Sequence, residues 1–132
     1  MTTNQVGVVL VSHSALLARG AAELAEQMSA GRAAIAFAGG TDDGRIGTSI
    51  TMLGAAVRSV AGEAGVLIIP DLGSSVLTAL TFLDDLDGEL KAVIADAPFV
   101  EGAVAAVVAA AAGLSLADVA LAAEEARGQL KM

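Results

Sequence analysis

One imidazole stands in the whole chain, His13, and it lies between two hydroxyls, Ser12 and Ser14. A neutral imidazole is a nucleophile that titrates near physiological pH, so it can take up a phosphoryl group and hand it on. It does so only when an acceptor holds one ring nitrogen while the other presents its lone pair. Asp71, at the head of Asp71-Leu72-Gly73-Ser74-Ser75, is the candidate for that acceptor. Gly39-Gly40-Thr41-Asp42-Asp43 offers glycine amides that can approach phosphoryl oxygens, and Gly47-Thr48 opens a helical segment whose N-terminus favours an anion. Phosphoryl transfer rests on positioning and charge stabilisation, which these parts can supply.

Each part also has a plainer reading. A lone histidine at a strand end is often a hydrogen-bonded structural residue. Asp71 can cap the helix that follows it. The glycines are turn residues first, and Thr41 to Asp43 can be a solvated loop. Ser12 and Ser14 are conceivable nucleophiles, but no Gly-x-Ser-x-Gly elbow surrounds either. Several nucleotide sites are excluded outright, because there is no Gly-x-Gly-x-x-Gly turn after the first apolar run and no Gly-Lys-Ser/Thr loop anywhere. With no Trp or Tyr, a flavin ring would lack its usual aromatic cover. A receiver-type acidic cluster is missing where Ser-His-Ser follows the first run.

What must position these residues is a set of short apolar runs alternating with segments of helical period. Strands are predicted over 6–11, 33–38, 66–70 and 90–95. Between and after them come helical faces: Leu17, Ala21, Leu24, Ala25 and Met28; Ile50, Leu53, Val57 and Val60; and Val76, Leu77, Leu80 and Leu83. Two more helices are predicted near 100–112 and 116–130, the second opened by a capping box of Ser115 and Asp118. The pattern predicts an α/β fold, an open and mainly parallel sheet of at least four strands with helices on both faces. In such a sheet ligands bind outside the carboxyl ends of the strands. His13, the Gly39–Asp43 run and the Asp71–Ser75 run are all strand exits, whereas the loops at the opposite edge look like plain connectors.

Composition narrows the rest. The 132 residues, 55% of them hydrophobic, suit one domain over 1–132 with an aliphatic core, since three Phe are the only aromatics. A net charge of −8 argues against nucleic acid, which demands clustered Lys and Arg. Without cysteine, and with one histidine, thiolate chemistry and an ordinary zinc site are excluded, and no cofactor is expected. Met1-Thr2-Thr3-Asn4-Gln5 carries no positive charge ahead of the apolar run and does not read as a secretory signal. The longest apolar stretch, Ala103 to Leu114, falls short of the roughly 20 residues that cross a bilayer. A cytoplasmic protein without membrane insertion is expected.

Four motifs in order extend this reading: Val8-Val9-Leu10-Val11-Ser12-His13-Ser14, Gly39 through Thr48, Asp71-Leu72-Gly73-Ser74-Ser75, and Ala97-Pro98-Phe99-Val100-Glu101-Gly102. Together they resemble the phosphotransferase subunits of bacterial PTS-dependent dihydroxyacetone kinases, whose core domain has the mannose-type enzyme IIA fold. The resemblance covers nearly the whole chain. It implies that His13 receives a phosphoryl group from the phosphocarrier protein HPr and passes it to ADP held on a nucleotide-binding kinase subunit. It also implies a homodimer, with Asp71 beside the histidine and Gly40, Thr41, Gly47, Thr48, Gly73 and Ser74 lining the phosphoryl pocket. Members that fuse an HPr-like and an enzyme I-like domain differ from this one-domain sequence. Mannose-type sugar transporters carry Thr-His-Gly and Gly-Gly-Ser-Pro where this chain has Ser-His-Ser and Gly-Ser-Ser, which favours the dihydroxyacetone branch. Two alternatives stay open: a transporter enzyme IIA passing phosphate to an enzyme IIB, and a non-catalytic anion-binding module.

Overall fold

The computed structural model describes residues 4–132, so Met1, Thr2 and Thr3 of the N-terminal stretch lie outside the described residues. β1 (Gly7–Ser12) is buried along its whole length and pairs in parallel with β2 (Ala34–Gly39) on one side and β3 (Val66–Pro70) on the other. β4 (Ala92–Ile94) pairs in parallel with β3, giving the order β2-β1-β3-β4. A strand covered on both faces is buried at every position, as β1 and β3 are. The predicted open parallel α/β sheet is the one found.

Alternate residues of β1 and β3 feed two separate cores. Val8, Leu10, Leu67 and Ile69 pack under α1 (Ala15–Met28), α4 (Phe99–Ala111) and α5 (Leu116–Glu125). Val9, Val11, Val66 and Ile68 pack under α2 (Ile50–Val60) and α3 (Gly73–Leu86). Helices therefore cover both faces, as expected for a doubly wound sheet. No helix among the described residues is long and apolar enough to cross a membrane.

Four sequence expectations need correction. β4 is three residues long instead of the six expected over 90–95: it pairs with β3 only along Val66–Ile68, and Leu90 still belongs to the bend that leaves α3. The inward face of α1 is Ala18, Ala21, Ala22 and Ala25, while Leu17, Leu24 and Met28 stand about half exposed. The reason is steric: α1 is wedged against both β2 and α4, and only alanine lets it come that close. On α3 the buried row is Ser75, Ala79, Phe82 and Leu86, and Leu77 and Leu80 face solvent. At the head of α5 only half of the expected capping box is made: the Ser115 side chain accepts the Asp118 amide at 3.2 Å, with no return bond from the Ser115 amide to the Asp118 carboxylate.

The close approach of α1 to β2 makes Gly39 irreplaceable. A Cβ there would lie 2.6 Å from the Ser14 carbonyl oxygen, 2.8 Å from the Ala15 Cα and 2.9 Å from the Ala18 Cβ. Two of those are backbone atoms, which cannot swing aside. Gly39→Ala is expected to cost about 1–3 kcal/mol by overpacking, read as a lower urea midpoint with an unchanged m-value. An unaltered midpoint would show that the loop after β1 yields freely.

Candidate active site

The register of β1 against β3 sets Val11 beside Pro70, so Ser12 and Asp71 leave the sheet side by side. The Asp71 amide closes this pairing by donating to the Val11 carbonyl at 3.0 Å. Ser12 is fully buried; its hydroxyl donates to Asp71 Oδ2 at 2.9 Å and accepts the Ser14 amide at 3.0 Å. The chain then turns into α1, with Ser14 as its cap, and His13 is fixed at the corner.

Asp71 is surrounded by donors. Its Oδ2 takes the Ser12 hydroxyl and, at 3.1 Å, the His13 amide. Its Oδ1 takes the Leu72 amide at 2.8 Å, the Ser75 hydroxyl at 2.9 Å and the His13 ring nitrogen Nδ1 at 3.0 Å. Burial of the side chain pushes its pKa up, but the hydrogen bonds from the His13 amide, Ser12, Ser75 and the His13 ring outweigh it and hold the carboxyl below its ordinary value. An ionised carboxylate only accepts, so Nδ1 carries the hydrogen and Nε2 keeps a lone pair. That lone pair faces the Ser74 hydroxyl, 2.6 Å away, which donates to it.

Ser74 is on the first turn of α3, where the Gly73 and Ser74 amides have no acceptor within the helix. A group attached to Nε2 would meet the Ser74 hydroxyl beside two free amides at the positive end of a helix dipole. The arrangement is a neutral imidazole nucleophile with a fixed tautomer and an anion-favouring surface next to its reactive nitrogen.

The remaining expected residues serve a different end. The Gly47 amide donates to the His13 carbonyl at 2.9 Å, and the Gly40 amide to the Ser12 carbonyl at 3.2 Å. Both amides are therefore occupied in bracing the His13 corner and are not open to a phosphoryl group. Gly47 adopts φ +147°, and a Cβ on it would strike Thr41 Cγ2 at 2.6 Å. The Thr41 hydroxyl pairs with Asp43 and accepts the Arg45 amide at 3.0 Å. The Thr48 hydroxyl bonds Thr78 of α3 at 2.6 Å, tying the loop to the helix that carries Ser74. Ser12 and Ser75, the two side-chain hydroxyls on Asp71, are not in the expected set. Ser12 is signalled only by its place as the last, inward residue of β1, and Ser75 only by its helical phase.

A family model described as EIIA-man, the PTS system fructose IIA component, matches residues 7–120. The chain belongs to the EIIA-man family. A Listeria innocua protein named as the phosphoryl donor subunit DhaM of PEP-dependent dihydroxyacetone kinase 2 is 40% identical over 105 residues, covering 78% of this chain and 84% of that protein. The DhaM subunit of Escherichia coli is 42% identical over 116 residues, covering 84% of this chain and 25% of that protein. This EIIA-man chain thus spans a quarter of the length of the Escherichia coli relative. Among solved structures, the crystal structure of the unknown-function protein EF1359 superposes with a TM-score of 0.77 at 31% identity, covering 92% of this chain and 94% of the other. A sigma-54 interaction domain protein from Enterococcus faecalis shares the fold, with a TM-score of 0.63 at 18% identity, covering 89% and 87%.

Proposed function

We propose that this EIIA-man chain is the phosphohistidine relay of a PEP-dependent dihydroxyacetone kinase. In the first step His13 Nε2 attacks the phosphorus of the phosphorylated carrier HPr. A bond from Nε2 to phosphorus forms as the carrier's own bond to phosphorus breaks, and the carrier keeps that electron pair. In the second step a terminal oxygen of ADP, held on a nucleotide-binding kinase subunit, takes the phosphoryl group. The bond from Nε2 to phosphorus breaks, ATP forms, and His13 returns to its neutral state. That ATP supports phosphorylation of dihydroxyacetone.

One observation carries the reading: Asp71 holds Nδ1–H at 3.0 Å, so the lone pair of Nε2 is the one that reacts. The curated relatives that bear the name phosphoryl donor subunit support the choice of branch. A net charge of −8 and no Lys in the site leave the chain poorly suited to hold free ADP, so a partner presents it. We assign the relay to one domain over residues 1–132, without metal or cofactor, acting in the cytoplasm as a homodimer. The dimer is supported by an apolar groove of about 860 Å³ along α4 and α5, lined by Val100, Val104, Val108 and Leu114.

The test is reconstitution with enzyme I, HPr and phosphoenolpyruvate, followed by a chase of the labelled chain. Discharge onto ADP is expected only when the kinase subunit holds the nucleotide, and sedimentation is expected to give a two-chain mass. Rapid discharge onto an enzyme IIB, with none onto ADP, would make the chain a sugar transporter's enzyme IIA. Anion binding near Gly40 and Gly47 without labelling would reduce it to a binding module.

A further inference from the structure

The loop between β2 and α2 is joined to α3 by one hydrogen bond among the described residues, between the half-buried Thr48 and Thr78 hydroxyls, 2.6 Å apart. Thr78 has another choice of partner. A threonine inside a helix commonly turns back to the carbonyl four residues earlier, as Thr81 does to Leu77 at 3.0 Å. Four residues before Thr78 stands Ser74, and Thr78 reaches away from it, across to the loop.

The same loop holds the other side of the site. Its Gly40 amide donates to the Ser12 carbonyl and its Gly47 amide to the His13 carbonyl. The loop is braced within itself, since the Thr41 amide donates to the Arg45 carbonyl at 2.9 Å. Asp42 accepts the hydroxyl of Ser49, the cap of α2. Gly47 and Thr48 are neighbours in the chain. Successive residues therefore grip the backbone of the nucleophile and the helix that carries Ser74.

The transfer step is what gives this grip its use. Before it, the Ser74 hydroxyl occupies the Nε2 lone pair at 2.6 Å. That lone pair forms the new bond to phosphorus as the donor's bond breaks, so the Ser74 hydrogen must leave it for an oxygen of the arriving group. Among the described residues, the one direct hydrogen bond between His13 and α3 is thus lost at the moment α3 is needed in place. Ser75 still ties the first turn to Asp71. The Thr48–Thr78 pair is the second tie, and it has no part in the exchange of partners.

We propose that Thr48 and Thr78 are positioning residues for the transfer, a hydroxyl clamp that keeps the first turn of α3 at its distance from Nε2 while Ser74 changes partner. The inference rests on the relay reading of His13. It adds two residues that make no hydrogen bond to the imidazole and act through α3.

The experiment follows phosphorylation of His13 in Thr48→Val, Thr78→Val and the double variant. Two donors are used, phosphorylated HPr and the small donor phosphoramidate. The maximal rate is expected to fall about tenfold with either donor, the upper end of what one hydrogen bond contributes, with KM for HPr unchanged. The double variant should be no slower than the single ones, because all three remove the same interaction. Thr48→Ser, which keeps the hydroxyl, should retain the parent's rate. Parent rates in the folded valine variants would overturn the clamp, as would a Thr48→Ser chain as slow as Thr48→Val. Losses that add in the double variant would overturn it too. A loss with HPr alone would overturn it by making the loop a contact for the donor. Should Thr78→Val fail to fold, Thr48→Val decides alone, since Thr48 lies outside every helix. Failure of the parent chain to label at His13 from either donor would strike the relay reading itself, and is told apart on that basis.

Discussion

His13→Ala is expected to fold as the parent does and to accept no phosphoryl group from phosphorylated HPr. The expectation follows from the count and the geometry together. His13 is the only imidazole in the chain, and cysteine is absent, so no second nitrogen or thiolate nucleophile can substitute. Of the hydroxyls around it, Ser12 and Ser75 donate to Asp71 and Ser14 caps α1, while Ser74, whose partner is His13 Nε2 itself, is left with no base to activate it. The side chain of His13 is partly exposed and belongs to neither apolar core, so its removal spares both. In the parent chain the label should be acid-labile and alkali-stable, as a phosphoryl group on nitrogen is. It should also sit on Nε2, because Nδ1 is turned toward the carboxylate. Mass mapping after labelling decides the matter: a His13→Ala chain that still takes up phosphate at the parent's rate would refute the assignment.

How far the sequence told this in advance differs between the sheet and its helices. The strand over 66–70 is legible to the residue, and β1 within one residue, because each is a short β-branched apolar run bounded by turn residues, too short for a buried helix such as α4. The inward face of α1 was misjudged because hydropathy ranks Leu17, Leu24 and Met28 above alanine. What decides the face is size, at a place where Ala18 and Gly39 nearly touch. On α3 hydropathy likewise puts Leu77 and Leu80 inside, but there the helical phase decides, and it buries Ser75, Ala79, Phe82 and Leu86.

At the site, strand-exit position alone was enough to bring His13 and Asp71 together, and Ser74 with them. It was not enough to separate residues that could face a bound group from residues that brace the loops. Gly40, Thr41, Gly47 and Thr48 are near by topology, yet their donors and hydroxyls are spent on Ser12, Arg45, His13 and Thr78. Those partners are fixed by three-dimensional register, which spacing along the chain does not encode. The exposure of Leu16, Ile46 and Leu72 is invisible in the sequence for the complementary reason. An apolar residue in a sequence is read as core until its exposure is known.

The second large effect concerns Asp71. In Asp71→Ala the Nδ1 hydrogen loses its acceptor, and the ring is free to rotate and to exchange tautomers. Half of the neutral molecules or more would then present a protonated Nε2 that cannot attack. The loss grows as the reaction proceeds, because phosphorylation at Nε2 leaves a positive imidazolium. The Asp71 carboxylate, held below its ordinary pKa by the hydrogen bonds from the His13 amide, Ser12, Ser75 and the His13 ring, is placed to neutralise that charge. An interaction that strengthens toward the transition state lowers the barrier, where equal binding of both states would not. Removing one such preorganised electrostatic contact typically slows a reaction by about 10²-fold or more. Asp71→Ala should therefore cut the rate of phosphorylation by HPr by about that factor while KM for HPr stays near the parent value, since the Asp71 side chain is buried and offers a partner almost no surface. Asp71→Asn separates the two contributions. Its amide oxygen can still accept Nδ1–H, so the tautomer survives and only the charge is lost, which predicts a rate between the other two. A folded Asp71→Ala chain with the parent's transfer rate would leave Asp71 as a cap for α3 and nothing more. An Asp71→Asn rate equal to that of Asp71→Ala would show that the negative charge, more than the orientation of the ring, is what the carboxylate contributes.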